Sequence, residues 1–266
     1  LAESPVPRVR KLAIEAIARS ASLRATRTAF AQMPAMTALP SPEGKKNRLV
    51  YDMKNKGSSF LPGKLVRSEG DPKKKDPSVN EAYDYAGATY DFYKKLFNRN
   101  SLDDHGMTLR SSVHLGSGYN NAFWNGEQMA YGDGDGVVFI RFTRSLDVVG
   151  HELTHGVVTH TSNLEYLNES GALNEHFADV FGSLVKQWKK KQTAAKADWL
   201  IGPDIMGPGT QAKSLRTFKD ELAYEGGGLS RETNWWGAFV VGLAGTILVT
   251  GIAPVMVTTL GAASIP

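Results

Sequence analysis

The spacing of apolar residues predicts four helical regions, at residues 8–32, 80–97, about 144–160 and about 170–190. The first places apolar side chains among Arg and Lys, which is typical of one or two amphipathic helices. The second repeats aromatic side chains at helical spacing, and we interpret these as core: Tyr83, Tyr90, Tyr93 and Phe97.

Strands and turns are predicted between these helices. Residues 109–142 alternate in polarity around Asn125-Gly126, a dipeptide that indicates a β-hairpin. The GDGDG segment at residues 132–136 is predicted to be a turn; its aspartates suit a cation, but no further carboxylate follows at calcium-loop spacing. Upstream, the Pro-rich and charged residues 33–48 indicate an exposed linker or processing site, and the stretch from there to about residue 80 predicts short strands.

The end of the chain is apolar, with no charged residue from Thr233 to Pro266. Residues 235–260 are long enough for a membrane span, but their several glycines and one proline argue against it, and a buried pair of helices would also be apolar. We favour the buried interpretation and keep membrane contact as the alternative.

Composition narrows the classes of function. The chain has 266 residues, 41% hydrophobic and 22% charged, which is typical of a globular protein. Its net charge of +4 comes from residues 1–50, which hold nine Lys and Arg against three Glu. Lysine runs elsewhere are short and isolated, so we predict no nucleic-acid partner. With no cysteine, any metal must be held by His and carboxylates. The first residues lack the long apolar stretch of a cleavable signal.

Two candidate metal ligands and a candidate base lie in the run His151-Glu152-Leu153-Thr154-His155. Two imidazoles four residues apart lie about 40° apart around a helix, so both can reach one ion. The histidines lie opposite an apolar stripe formed by Leu146, Val149, Leu153 and Val157. Glu152 is turned about 80° from them, so it suits a base that takes a proton from the attacking water and delivers it to the leaving amine.

The next helix supplies a third ligand. Glu175 and Asp179 are four residues apart and share one face, where two acids would repel unless a positive charge lay between them. Zinc held by His151, His155 and Glu175 resolves this repulsion, and Asp179 would accept a proton from a ligand imidazole. The opposite face is predicted to be an apolar stripe: Leu173, Phe177, Val180, Phe181 and Leu184.

The segments at residues 148–188 and 119–136 resemble the zinc-binding core and the substrate strand of the thermolysin-like metallopeptidases. The likeness covers about residues 56–218. It implies an α+β fold with a β-rich N-terminal lobe, a helical C-terminal lobe and the active-site cleft between. It further implies that Asn121 and Ala122 bind the substrate backbone, Tyr166 stabilises the oxyanion and Arg216 contacts a substrate carbonyl.

The N-terminal region is most similar to the short prosegments of the protealysin-like subgroup. This implies a zymogen, cut near residues 40–52, whose prosegment inhibits its own cleft. It also implies secretion, with a cytoplasmic location as the alternative. The corresponding division is a prosegment at 1–50, a β-rich lobe at 51–143, a helical lobe at 144–232 and an apolar tail at 233–266.

The chain departs from the family pattern in two places, the first towards its C-terminus, where we expect truncation or divergence. The family's catalytic histidine follows the SLR segment in a GGVHxxSG motif, whereas this chain has no histidine after His176 and only Ser230 in a similar context. Calcium is the second departure. Asp147 matches a family calcium ligand, but Lys186 replaces a carboxylate, so we expect the double calcium site to be lost.

Two functions follow from this pattern. The first is a zinc endopeptidase that cuts peptides or proteins on the amino side of hydrophobic residues, a preference that the resemblance implies. The second is a catalytically impaired homologue that still binds zinc and extended peptide.

Overall fold

The computed structural model describes residues 45–218 and five isolated helical positions, Pro7, Arg8, Arg10, Lys11 and Ile14. The rest of the helix predicted at 8–32 and the whole tail at 233–266 lie outside the described residues. Among the helices that the structure describes, none is long and apolar enough to cross a membrane.

A five-stranded mixed sheet forms the N-terminal part of the fold, with strand order β2-β1-β3-β5-β4. Its strands are β1 (Arg48–Asp52), β2 (Lys64–Ser68), β3 (Leu109–Val113), β4 (Ala122–Trp124) and β5 (Met129–Tyr131). The predicted hairpin is confirmed: β4 and β5 pair antiparallel, and the Asn125 amide donates to the Gln128 carbonyl at 3.1 Å across the turn. Gly126 adopts a φ of 97°, which favours glycine.

Three helices form at the places that the periodicity predicts: α1 (Pro77–Phe97), α2 (Leu146–Thr159) and α3 (Asn168–Lys190). Helices α1 and α2 contact the sheet, and α3 packs mainly against α2. The helix predicted from residue 80 begins three residues earlier, because Asp76 accepts hydrogen bonds from the Ser78 and Val79 amides and Pro77 suits a first helical turn. A short ribbon follows, formed by β6 (Leu200–Ile201) and β7 (Arg216–Thr217).

The main core lies where α1 and α2 pack against the sheet. Tyr83, Tyr90 and Tyr93 are each at most 5% exposed, so their prediction as core is confirmed. Phe97 is half-buried in a second cluster, beside Phe92 and Phe181.

The apolar stripe predicted on α3 is not its most buried face. Those side chains are only half-buried, and Val185 is the one large apolar side chain among the buried residues of α3. The others are small or polar: Gly171, Asn174, Ala178, Asp179, Gly182, Ser183, Lys186 and Gln187. Small side chains let two helix backbones approach closely, which apolar periodicity does not reveal.

Candidate metal centre

Helices α2 and α3 run in opposite directions and bring three predicted side chains together. His151, His155 and Glu175 each offer one ligand atom, and these atoms all lie within 4.8 Å of one another. The Nε2 atoms of the histidines are 3.1 Å apart, and Glu175 oxygens lie 3.3 Å from His151 Nε2 and 3.8 Å from His155 Nε2. Among the described residues, no other group of His, Asp or Glu has this arrangement.

This donor set suits zinc, which takes imidazole nitrogen and carboxylate oxygen and leaves one position open in catalytic sites. Both histidines are at most 6% exposed, while the Glu175 side chain is 30% exposed, so the group opens to solvent on the glutamate side.

The far nitrogen of His155 is held by a residue that sequence reasoning missed. His155 Nδ1 lies 2.8 Å from Asn174 Oδ1, and the Asn174 amide donates to the Leu164 carbonyl at 3.2 Å. Asn174 precedes Glu175 on α3, and a buried amide beside a predicted ligand is the signal that could have found it.

His151 faces a buried carboxylate. Its Nδ1 lies 2.8 Å from Asp179 Oδ1, although the ring N–H is not directed at that oxygen. Burial disfavours a charged imidazole, but Asp179 and Glu175 outweigh it and raise the pKa of His151 to about 9. These neighbours therefore favour cationic charge at the centre of the group.

Arg216 pairs with Asp179. Its guanidinium donates two hydrogen bonds, of 2.6 Å and 2.5 Å, to the Asp179 carboxylate. Burial opposes the charged carboxylate, yet Arg216 and His151 lower the pKa of Asp179 to about 2. The residue predicted as a substrate contact thus also anchors the carboxylate behind His151.

Glu152 lies outside the group of three and is 7% exposed. Its Oε2 accepts a hydrogen bond of 3.2 Å from the Trp124 amide in β4. The predicted base therefore lies between the histidine helix and the outermost strand of the sheet.

Residues that the family resemblance implies for substrate binding and oxyanion stabilisation lie beside β4 and beside His155. Asn121 immediately precedes β4, and its Oδ1 accepts a hydrogen bond of 2.9 Å from the Ala122 amide. The Tyr166 ring is half-buried, with its centroid 5.7 Å from that of His155. The segment after residue 218, including Ser230, lies outside the described residues.

At the expected calcium position, an ammonium group lies among acidic oxygens. Lys186 Nζ contacts Asp147 Oδ2 and Asp198 Oδ1, each at 2.8 Å, and the Leu200 carbonyl at 2.6 Å.

The GDGDG segment, predicted to be a turn, is irregular at residues 132–135 and bends at residues 136–138. Its aspartates bind other groups of the protein. Asp135 accepts hydrogen bonds from the Val137 and Val138 amides, and Asp133 pairs with His114.

Comparisons with known proteins agree with this geometry. Residues 39–159 match the family model for the thermolysin metallopeptidase catalytic domain, and residues 162–230 match that for its alpha-helical domain. An extracellular metalloprotease of Pectobacterium carotovorum subsp. carotovorum is 53% identical over 176 residues, 66% of this chain and 50% of the relative. Protease PrtS of Photorhabdus sp. (strain Az29) is 53% identical over 174 residues, 65% of this chain and 46% of the relative.

A solved structure of the precursor of protealysin, a metalloproteinase from Serratia proteamaculans, matches with a TM-score of 0.66 and 51% sequence identity. The match covers 70% of this chain and 58% of the protealysin precursor chain. The α+β fold with a β-rich N-terminal part and a helical C-terminal part is therefore confirmed. The chain spans about half or less of the length of the curated relatives it matches.

Proposed function

Because the chain belongs to the thermolysin metallopeptidase family, we propose that it is a zinc-dependent endopeptidase. His151, His155 and Glu175 would hold the metal, and Glu152 would act as general base. The observation that supports this most strongly is the convergence of those three side chains within 4.8 Å, with Glu152 on the same helix but outside the group.

Zinc bound here would supply a Lewis acid that polarises the scissile carbonyl and makes the attacking water more acidic. The Glu152 carboxylate takes a proton from that water and gives it to the leaving amine nitrogen. The Trp124 amide holds one Glu152 oxygen, which fixes the direction of the carboxylate. Tyr166, half-buried beside His155, would donate a hydrogen bond to the developing oxyanion.

The substrate would be an extended peptide or protein segment running along the outer strand of the sheet. Asn121 and Ala122 lie at the start of β4, the outermost strand in the described sheet, where an added strand finds backbone groups to pair with. Arg216, anchored by Asp179, would contact a substrate carbonyl. Cleavage on the amino side of hydrophobic residues is the preference we propose.

We also propose that the protein is made as a secreted precursor. The likeness to the protealysin precursor and the extracellular relative support this proposal. Residues 1–50 would then be the prosegment that inhibits the cleft, followed by the lobes at 51–143 and 144–232.

A catalytically impaired zinc- and peptide-binding homologue is the second candidate. It is favoured by one observation, the absence of any histidine after His176 in a family that uses one there. Such a site would still bind zinc and peptide, but turnover would be slower. Loss of one hydrogen-bond donor that stabilises the transition state lowers the rate by about 10²–10³-fold.

The test is zinc content together with hydrolysis of casein or a blocked dipeptide, for the wild type and Glu152→Gln. One zinc per chain with turnover abolished by the substitution supports the peptidase. Zinc with no turnover in either protein supports the impaired homologue. A wild-type protein that binds no zinc would refute both candidates.

A further inference from the structure

One face of α3 contacts α2 along its length through residues three or four apart. Glu175 and Asp179 lie against His151 at one end of this face, at 3.3 Å and 2.8 Å. At the other end Lys186 pairs with Asp147, four residues before His151 on α2. The metal-binding end and the ion-paired end therefore share one helix contact.

Between these two ends lies Gly182, where the backbones of the helices meet. A Cβ atom at Gly182 would lie 2.5 Å from the Asp147 carbonyl oxygen, 2.9 Å from the His151 amide nitrogen and 3.2 Å from the His151 Cα. All three atoms belong to the backbone of α2, so no side-chain rotation relieves the overlap. Any residue larger than glycine would have to separate or tilt the helices at His151.

The opposing position on α2 is also glycine. A Cβ at Gly150 would lie 3.2 Å from the Gly182 Cα and 3.3 Å from the Val185 Cβ. This contact is tight but milder, so a methyl group here requires a shift of a few tenths of an ångström. The two glycines thus allow graded changes in the helix separation.

We propose that Gly182 is a positioning residue for the metal centre, because its missing side chain lets α3 come close enough for Glu175 to reach the histidines. The Lys186–Asp147 pair fixes the register of the two helices, and Gly182 fixes their separation. Glycine is less favourable than alanine in a helix interior, so its presence in mid-helix needs a packing reason. This inference rests on the zinc site of the proposed function.

The test compares zinc affinity in four full-length proteins: the wild type, Gly182→Ala, Gly150→Ala and Gly87→Ala. Gly87 is the matched control, because it lies within α1 and the three atoms nearest to an added Cβ there all belong to the Arg48 side chain and not to a helix backbone. Zinc affinity is measured by competition with a chelator, and thermal unfolding is measured for the metal-free proteins. The visible absorption of the cobalt-substituted proteins reports the ligand geometry, which a loss of stability alone would not alter.

We expect Gly182→Ala to weaken zinc binding roughly 10–100-fold, the range seen when groups that orient metal ligands are changed. Its cobalt spectrum should differ from that of the wild type, Gly150→Ala should show a smaller effect, and Gly87→Ala should match the wild type. Equal zinc affinity and equal spectra for Gly182→Ala and Gly87→Ala would overturn the inference.

If Gly182→Ala does not fold, Gly150→Ala decides by the same two measurements against Gly87→Ala. A wild type that binds zinc while both helix-contact variants bind it equally well contradicts only the positioning role. A wild type without zinc refutes the proposed function, and the inference falls with it.

Discussion

Asn174 Oδ1 lies 2.8 Å from His155 Nδ1 in the buried space between α2 and α3. An amide oxygen can only accept, so in the neutral imidazole this contact favours the tautomer with the proton on Nδ1 and the lone pair on Nε2. Nε2 is the atom that faces His151 and Glu175. The tautomer needed for metal binding is therefore selected by a residue that is not itself a ligand.

Asn174→Ala should accordingly weaken zinc binding by roughly 10–100-fold, because His155 loses the acceptor that orients it. Asn174→Asp keeps an acceptor oxygen at the same position and should retain most of the affinity. Chelator competition measures both variants. Equal affinities for Asn174→Ala and the wild type would show that packing alone orients the imidazole.

The buried pair of Lys186 and Asp147 predicts a large effect on stability. The two side chains are 1% and 0% exposed, so Lys186→Met leaves an uncompensated carboxylate in the interior. Breaking such a pair costs roughly 3–5 kcal/mol of unfolding free energy. Denaturant unfolding of the metal-free protein measures this loss, with Lys189→Met, an exposed lysine on the same helix, as the control. A similar small change in both variants would mean that Asp147 finds another partner.

The contact between Lys186 and Asp147 also predicts that added calcium does not stabilise the protein at this position. The Lys186 ammonium already lies 2.8 Å from both Asp147 and Asp198, so a divalent ion would face repulsion there. Adding Ca²⁺ should leave the unfolding temperature of the wild type unchanged. A rise in that temperature that disappeared in Asp147→Asn would contradict the prediction.

Sequence predicted the three long helices within residues 45–218 and the spacing of the candidate donors on them, because periodicity and spacing are local properties. The four-residue spacing of His151 and His155, and of Glu175 and Asp179, follows from helix geometry alone. The Asn125-Gly126 turn is equally local, since its backbone demands a residue that tolerates positive φ.

What sequence did not predict depends on how two helices meet. The close face of α3 is lined by Asn174 and Gly182, whereas apolar periodicity pointed to the side of Phe177 and Val180. The Asp179–Arg216 pair spans 37 positions and brings β7 beside α3, a contact that no local pattern encodes. Tertiary contacts of this kind appear only once the packing is known.

His114 links two aspartates from separate elements of the N-terminal part. Its Nδ1 lies 2.7 Å from Asp133 in the GDGDG segment, and its Nε2 lies 2.7 Å from Asp76, the N-cap of α1. The hydrogen bond to Asp133, aided by Asp76 and opposed by burial, raises the pKa of His114 to about 9. The pKa of histidine in an unfolded chain is lower, about 6.5.

This difference fixes the sign of a pH dependence. Because the folded pKa exceeds the unfolded one, the stabilisation is fully present below about pH 6.5 and is lost as the pH rises through about 9. His114→Asn removes the charge and tolerates the φ of 57° at this position. The unfolding temperature of the wild type should exceed that of His114→Asn by more at pH 6 than at pH 10. His105→Asn, which removes an exposed imidazole, is the control, and a difference that stayed constant from pH 6 to pH 10 would rule out a charged bridge at His114.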